Sequence, residues 1–144
     1  MMNSNENLGI GYLIVRVTTA RGAIPLEGAR VNVRSGVGSA TEERGELLYS
    51  LVSDSSGNTE RISLPAPPKG DSVVPNGGVP YASYHLEVFR EGYYTHQYLG
   101  VPIFDGITAV QTADMIPKSE SGKTGYDAPD EDLYFNTPPA ENGL

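Results

Sequence analysis

The chain has 144 residues, a mass of 15.4 kDa and a net charge of −8, a size typical of one domain with an ordinary core. It contains no cysteine, which excludes disulfides, thiolate metal sites and cysteine nucleophiles. The excess of acidic residues argues against nucleic acid and anionic membranes as partners, and no apolar run reaches the roughly 20 residues of a membrane-spanning helix.

Residues 1–9 are polar and aperiodic, so we expect a flexible lead-in there. Residues 10–117 form the predicted folded body, which begins with two alternating strands, at 11–19 and 29–34. Further strands are predicted at 46–53, 59–64, 82–90, 93–99 and 107–116, separated by a turn at 54–58, an irregular Pro-rich crossing at 65–80 and turns at 91–92 and 105–106. Residues 42–51 are the one segment for which a helix is an alternative to the predicted strand.

The apolar positions of these strands predict a core that includes Val15, Val17, Val31, Val33, Leu86 and Val88. Seven strands, or eight, at this spacing are typical of an all-β sandwich with Greek-key connections. The sequence therefore predicts two packed sheets and no long helix.

Residues 118–144 differ in composition from the body, with two lysines against six acidic residues and three prolines. Such a composition favours a loosely held acidic tail. Leu133, Tyr134 and Phe135 follow the acidic run at 130–132, and large apolar side chains gain free energy when they leave water. We therefore expect the tail to dock on its own body or on a partner.

Three motifs lie in the middle of the chain. Residues 28–33 read Gly-Ala-x-Val-x-Val, residues 53–57 read Ser-Asp-x-x-Gly, and residues 84–93 read Tyr-x-Leu-x-Val followed by Gly-Tyr. Together they resemble the carboxypeptidase regulatory-like domain, a transthyretin-like β-sandwich. The resemblance implies that fold and supplies no catalytic residue.

A narrower resemblance involves residues 65–67, 80–84, 101–106 and 111–117. These segments are similar to a version of the domain in anaerobic spore-forming bacteria, where it accompanies peptidoglycan-binding modules and spore cortex-lytic enzymes. The resemblance implies an association with spore or cell-wall machinery. Because the sequence shows no secretory signal, a cytoplasmic or spore-associated location is the default expectation.

Two histidines, His85 and His96, are the strongest candidates for metal ligands. In a hairpin that turns at residues 91–92, His96 would lie opposite Glu87 and His85 near Tyr98, which would give a two-histidine, one-carboxylate arrangement. Because that arrangement depends on an assumed register, we interpret both histidines as surface residues and predict no metal or other cofactor. Some transthyretin-like enzymes bind iron through closely spaced histidines, a pattern that His85 and His96 do not match.

Asp54, Ser56, Asn58 and Glu60 recur at every second position, as calcium ligands can. The bidentate carboxylate that should follow is absent at the required spacing, so a structural turn is the preferred interpretation. No Ser-His-Asp or paired-carboxylate arrangement is recognisable, and we predict that the chain is not an enzyme.

Aromatic residues give the strongest binding signal. Rings with a polar end suit protein interfaces and sugar stacking, although strands also favour tyrosine for packing alone. The candidate binding residues are Tyr81, Phe89, Tyr93, Tyr94 and Tyr98, with Tyr134 and Phe135 of the tail. We predict a structural or protein-interaction module whose partner is another protein or a second copy, engaged in part through the tail. The alternative is a carbohydrate- or peptidoglycan-binding module that uses the Tyr-rich hairpin.

Overall fold

The computed structural model describes residues 9–36, 45–71, 80–119 and 133–136. Within these ranges the chain forms two β-sheets that pack as a sandwich, which confirms the predicted fold class, and no helix is long and apolar enough to cross a membrane. Eight strands have four or more residues and β2 has two; a 3-10 turn spans Lys69–Asp71. The strands are β1 (Gly9–Thr19), β2 (Ile24–Pro25), β3 (Arg30–Ser35), β4 (Leu47–Val52), β5 (Ile62–Ala66), β6 (Ala82–Phe89), β7 (His96–Ile103), β8 (Thr108–Met115) and β9 (Leu133–Asn136).

Sheet A is centred on β1. On one side β8 runs parallel to β1, with Tyr12 opposite Thr108 and Thr19 opposite Met115. On the other side β5 pairs with the first half of β1, and β2 pairs with its last two residues. Sheet A is therefore at most three strands wide at any level, and β8 forms one of its edges.

Sheet B has the order β4-β3-β6-β7-β9. Its pairs are antiparallel except for β7 and β9, which are parallel. The chain crosses to sheet A to form β5 and returns for β6, as a Greek-key connection requires. Asn32 lies opposite both Ser50 and Glu87, and Glu87 lies opposite Gln97, so one row of residues crosses four strands.

The core lies between the inner faces of the two sheets. All six predicted core residues are 0% exposed: Val15, Val17, Val31, Val33, Leu86 and Val88. Leu13, Leu64, Val101, Ile103 and Met115 complete the largest buried apolar side chains. Each fully buried side chain of this kind contributes about 1.5–3 kcal/mol relative to exposure, so the alternating strands are the main source of stability.

Two strands begin three residues later than predicted, while the other predicted strands agree within two residues. The strand expected at 59–64 begins at Ile62, because Thr59 instead exchanges hydrogen bonds with Val15 of β1. The strand expected at 93–99 runs over His96–Ile103, because Tyr93 bridges to Pro117 and the Tyr94 amide donates to the Ile116 carbonyl. The hairpin turn is therefore longer than two residues.

Two further predictions concern residues 42–51 and residues 65–80. The helix considered at 42–51 is not formed over its described part, where Leu47–Val52 is strand β4. The irregular crossing at 65–80 begins within β5 and continues into the 3-10 turn, and residues 72–79 lie outside the described ranges.

Strand β9 lies within the predicted tail. Leu133 is opposite His96 and Asn136 is opposite Leu99, so this segment pairs with the edge of its own body. The other tail residues from 120 onward, and residues 1–8, lie outside the described ranges.

Candidate functional site

The predicted aromatic residues do not form one surface. Because β6 and β7 are antiparallel, Tyr81 precedes β6 at one end of the hairpin, while Tyr93 and Tyr94 occupy the turn at the other end. The eight residues of β6 span about 27 Å at roughly 3.4 Å per residue. A single small ligand cannot contact both ends.

Tyr98 is buried, and its prediction as an exposed binding residue is wrong. Its side chain is 5% exposed and belongs to the core, because alternate residues of β7 point inward. Tyr93 is half-buried and packs against the same core. The Tyr94 ring is half-buried and lies 5.8 Å from the Lys118 ammonium nitrogen. The turn tyrosines thus act partly as packing residues.

The Tyr81 side chain is exposed and can contact a ligand or a partner. It is 40% exposed, and its ring centroid lies 5.6 Å from that of Phe104, a residue that strand periodicity did not single out. Beside this pair, Asp105 accepts hydrogen bonds from the backbone amides of Lys69 and Ile10, each 3.1 Å long. These bonds lower the pKa of Asp105, so an aromatic pair stands next to an ionised carboxylate.

Phe89 lies elsewhere, on the outer face of sheet B. It is 50% exposed and stands opposite Arg30, which in turn stands opposite Val52 on the edge strand β4. The side chains of Tyr134 and Phe135 lie outside the described residues. The aromatic candidates are therefore divided among separate parts of the molecule.

A hydrogen-bonded network covers the outer face of sheet B, and sequence reasoning missed most of it. Glu87 Oε1 accepts from Arg34 Nε at 3.2 Å and from Asn32 Nδ2 at 3.5 Å. The Ser50 hydroxyl donates to Asn32 Oδ1 at 2.9 Å. The one sequence signal for this network was that Arg30 and Arg34 lie on the same face of their strand. The residues that bond to Arg34 and Asn32 could not be predicted, because they depend on which strands lie next to β3. Because the network is near the surface, an ion pair of this kind contributes only about 0.2–1 kcal/mol.

The two histidines face opposite sides of sheet B. His96 is 1% exposed and points into the core, so the interpretation of both histidines as surface residues is wrong for His96. It lies opposite Val88 and not Glu87, because the turn after Phe89 is longer than assumed. His85 is half-buried on the outer face. Within the described residues, no three His, Asp or Glu side chains are grouped closely enough to hold a metal ion.

His96 and Tyr98 form a buried polar pair. Burial lowers the pKa of His96, and Asp114 opposes this shift. Burial also raises the pKa of Tyr98 to about 12, with a further contribution from Asp114. Both side chains are therefore uncharged at neutral pH, which is the state that costs least in a low-dielectric core.

Three aspartates bond to turns and strand ends. Asp54 Oδ1 accepts from the amides of Ser56 and Asn58 at 2.8 and 3.0 Å, which confirms the structural turn. Asp114 Oδ1 accepts from the Gly22 amide at 3.0 Å and from the Thr18 hydroxyl at 3.1 Å. Asp105 makes the two amide contacts described above. Each of these three carboxylates thus has at least one oxygen bonded to the protein's own backbone.

No model of a known protein family matches the chain, and no curated protein matches it. Among solved structures, it is similar to catechol 1,2-dioxygenase of Acinetobacter radioresistens, with 12% identity and a TM-score of 0.53 over 92% of this chain and 60% of that one. The minor pilin GBS52 of Streptococcus agalactiae is 18% identical, with a TM-score of 0.46 over 77% of this chain and 46% of the pilin. The Bacillus anthracis TIE protein is 15% identical, with a TM-score of 0.44 over 76% of this chain and 17% of that protein.

The chain thus spans only 60% of the length of the dioxygenase. At 12% identity the likeness to the dioxygenase concerns the fold alone, and a fold by itself does not assign a function.

Proposed function

We propose that this chain is a non-catalytic structural or protein-interaction module of the carboxypeptidase regulatory-like, transthyretin-like kind. The observation that carries the proposal is the use of Asp54, Asp105 and Asp114, each of which accepts a backbone amide hydrogen bond. Carboxylates held in this way make loops rigid, and they have fewer lone pairs left for a substrate or a metal.

The histidines support the same proposal. A general base has to reach the proton that it removes, either directly or through one water molecule. His96 is enclosed in the core, and His85 lies on a sheet face beside the Arg34–Glu87 ion pair. We therefore propose that the module needs no cofactor.

A link to spore or cell-wall machinery is the finer part of the proposal. Its support is the similarity of residues 101–106 and 111–117 to the version of the domain that accompanies peptidoglycan-binding and cortex-lytic proteins. In that setting a rigid sandwich would hold or connect other proteins, and we propose a cytoplasmic or spore-associated location for it.

Glycan binding is the second candidate function. The observation that favours it is the Tyr81–Phe104 pair, which offers a partly exposed ring beside the Asp105 carboxylate. A sugar ring stacks on such a surface and donates hydroxyl hydrogen bonds to a neighbouring acceptor. The sequence analysis placed glycan binding on a single Tyr-rich hairpin surface. The structure does not favour such a surface, because the tyrosines lie at both ends of the hairpin and Tyr98 is buried.

The test uses the full chain as bait in a native lysate, in parallel with co-sedimentation on purified peptidoglycan. We expect specific recovery of a protein and no pelleting with the wall. Pelleting that Tyr81→Ala abolishes and Phe89→Ala leaves intact would favour the glycan candidate. Release of soluble fragments from the wall material would contradict the non-catalytic proposal.

A further inference from the structure

The outer edge of β8 is a long strand edge without a partner in the part of the chain that the structure describes. All eight residues from Thr108 to Met115 pair with β1, with no bulge or register shift. No described strand pairs with the other side of β8. A regular, unpaired edge of this length presents a row of free amide and carbonyl groups, which favours the addition of another strand.

The other described edges carry features that discourage strand addition. The β3–β4 ladder has a register shift between Val33 and Arg34, β5 contains Pro65, β9 has four residues, and β2 has two. Bulges, proline and short length are the usual means by which proteins protect their sheet edges. Strand β8 has none of these features.

The hydrogen bonding of β8 shows which groups face outward. The Tyr12 amide donates to the Ile107 carbonyl at 2.9 Å, so odd-numbered residues direct their backbone groups toward β1. Because successive residues alternate, the backbone groups of the even-numbered residues face the free edge. The Thr112 carbonyl on this edge accepts from the Gln111 side-chain amide at 3.0 Å, a bond that an added strand would replace. These even-numbered residues are Thr108, Val110, Thr112 and Asp114.

The distribution of charged residues indicates which kind of partner could pair with the β8 edge. Residues 106–113 contain no charged side chain, although the whole chain has a net charge of −8. Two copies can therefore approach through this edge without bringing acidic side chains together. At its centre Val110 is 60% exposed and stands beside Ile14 of β1, so self-pairing would bring this exposed apolar side chain against the β8 strand of the second copy.

We infer that two copies of this chain pair through antiparallel β8 strands, about a two-fold axis at Gln111, to form one continuous sheet. This inference names a second copy as the partner of the interaction module and rests on the proposed function. In this register Val110 faces the partner's Thr112, and Asp114 faces the partner's Thr108. Seven of the eight residues of β8, Thr108 to Asp114, are paired, and no like charges are opposed. An axis at Asp114 would instead set two carboxylates against each other and shorten the ladder.

The first test is the mass of the full chain in solution, measured by sedimentation equilibrium from micromolar to millimolar concentration. We expect a dimer that dissociates on dilution. Val110→Lys places a charge at the centre of the pairing and should give a monomer throughout. The matched control is Val52→Lys, which changes a 54%-exposed valine on the edge strand β4 and should dimerise like the parent chain. Circular dichroism verifies that both variants are folded.

The second test uses the absence of native cysteine. Gln111 occupies a non-hydrogen-bonded position at the proposed axis, where facing Cα atoms are about 4.5 Å apart, within the range that a disulfide spans. Mild oxidation of Gln111→Cys should therefore give a covalent dimer. Ser50→Cys, an exposed position on β4, should remain monomeric under the same conditions.

A parent chain that is monomeric at every concentration would overturn the inference, and so would a dimer that Val52→Lys disrupts and Val110→Lys does not. If the chain is monomeric yet recovers a different protein, and Val110→Lys abolishes that recovery, the edge binds another partner. The second-copy inference is then wrong while the proposed interaction function stands.

Discussion

The Nδ1 atom of His96 lies 3.3 Å from the phenolic oxygen of Tyr98, and both side chains are buried on the inner face of β7. A neutral imidazole and a neutral phenol can share this hydrogen bond at low cost, whereas an imidazolium in the same place would have to give up its hydration. The pair therefore makes the stability of the sandwich depend on pH.

We expect stability to fall as the pH drops below about 6.5. Burial lowers the pKa of His96 from its ordinary value of 6.5, so the unfolded chain binds a proton at pH values where the folded chain does not. The stabilising effect is complete above pH 6.5 and is lost progressively below it. Melting temperatures between about pH 5.5 and 7.5 measure this slope, in a range where most carboxylates stay ionised.

Replacement of His96 separates this effect from that of the other histidine. His96→Leu should remove the part of the slope that comes from the buried imidazole, whereas His85→Gln should leave that part in place. The pKa of His85 is also lowered, by burial and by Arg34 against the effect of Glu87, so His85→Gln removes only the separate contribution of His85. An unchanged slope in His96→Leu would show that other groups cause the pH dependence.

Val31→Asp should prevent folding. Val31 is 0% exposed and lies between β4 and β6, so the variant buries an unpaired carboxylate. The cost is several kcal/mol, comparable to the total stability of about 5–15 kcal/mol for a domain. Val52→Asp, at an exposed position opposite Arg30, should change stability by only about 0.5 kcal/mol. A cooperative melt for Val31→Asp would contradict its place in the core.

Gly57→Ala should lower the free energy of unfolding by about 1–3 kcal/mol. Gly57 has a φ of 84°, and an added Cβ would stand 2.5 Å from the Val17 carbonyl oxygen. Gly22 has a similar φ of 86° but nothing within 4 Å of an added Cβ. Urea unfolding of both alanine variants separates backbone strain from the steric clash, and equal losses would show that the clash is relieved at no cost.

Removal of β9 should destabilise the body. A chain that ends at Ser119 keeps the Lys118 amide bond to the Gly92 carbonyl but exposes the edge of β7 over His96–Leu99. At about 0.5–1.5 kcal/mol for each hydrogen bond, we expect a loss of about 1–3 kcal/mol. A chain that ends at Asn136 retains β9 and should melt like the full chain. If both truncations melt identically, β9 contributes no stability.

Chelation should leave the melting temperature unchanged. A metal bound only by the folded state, at 100 times its dissociation constant, would add about 2.7 kcal/mol of stability, which a thermal melt easily detects. In the described ranges no cluster of three or more His, Asp or Glu residues is present to hold one. A lower melting temperature in EDTA that calcium or zinc restores would contradict this expectation.

The sequence by itself determined the sandwich and its core. Period-two alternation put Val15, Val17, Val31 and Val33 on buried faces, and each is 0% exposed. The Asp-x-x-Gly turn was equally predictable, because Asp54 and Gly57 meet local requirements for side-chain capping and positive φ. These features depend on residues close together along the chain, and such rules operate before any long-range contact forms.

The tertiary structure decided what depends on strand register and strand order. The pairing of the hairpin is shifted by one residue from the assumed register, which places Val88 opposite His96. A shift of one residue moves a side chain to the other face of the sheet, so His96 and Tyr98 enter the core. Three further features follow from which strands become neighbours. They are the hydrogen bond between Arg34 and Glu87, the parallel pairing of β9 with β7, and the unpaired edge of β8. Strand order joins segments far apart in the chain, and no local pattern encodes that choice.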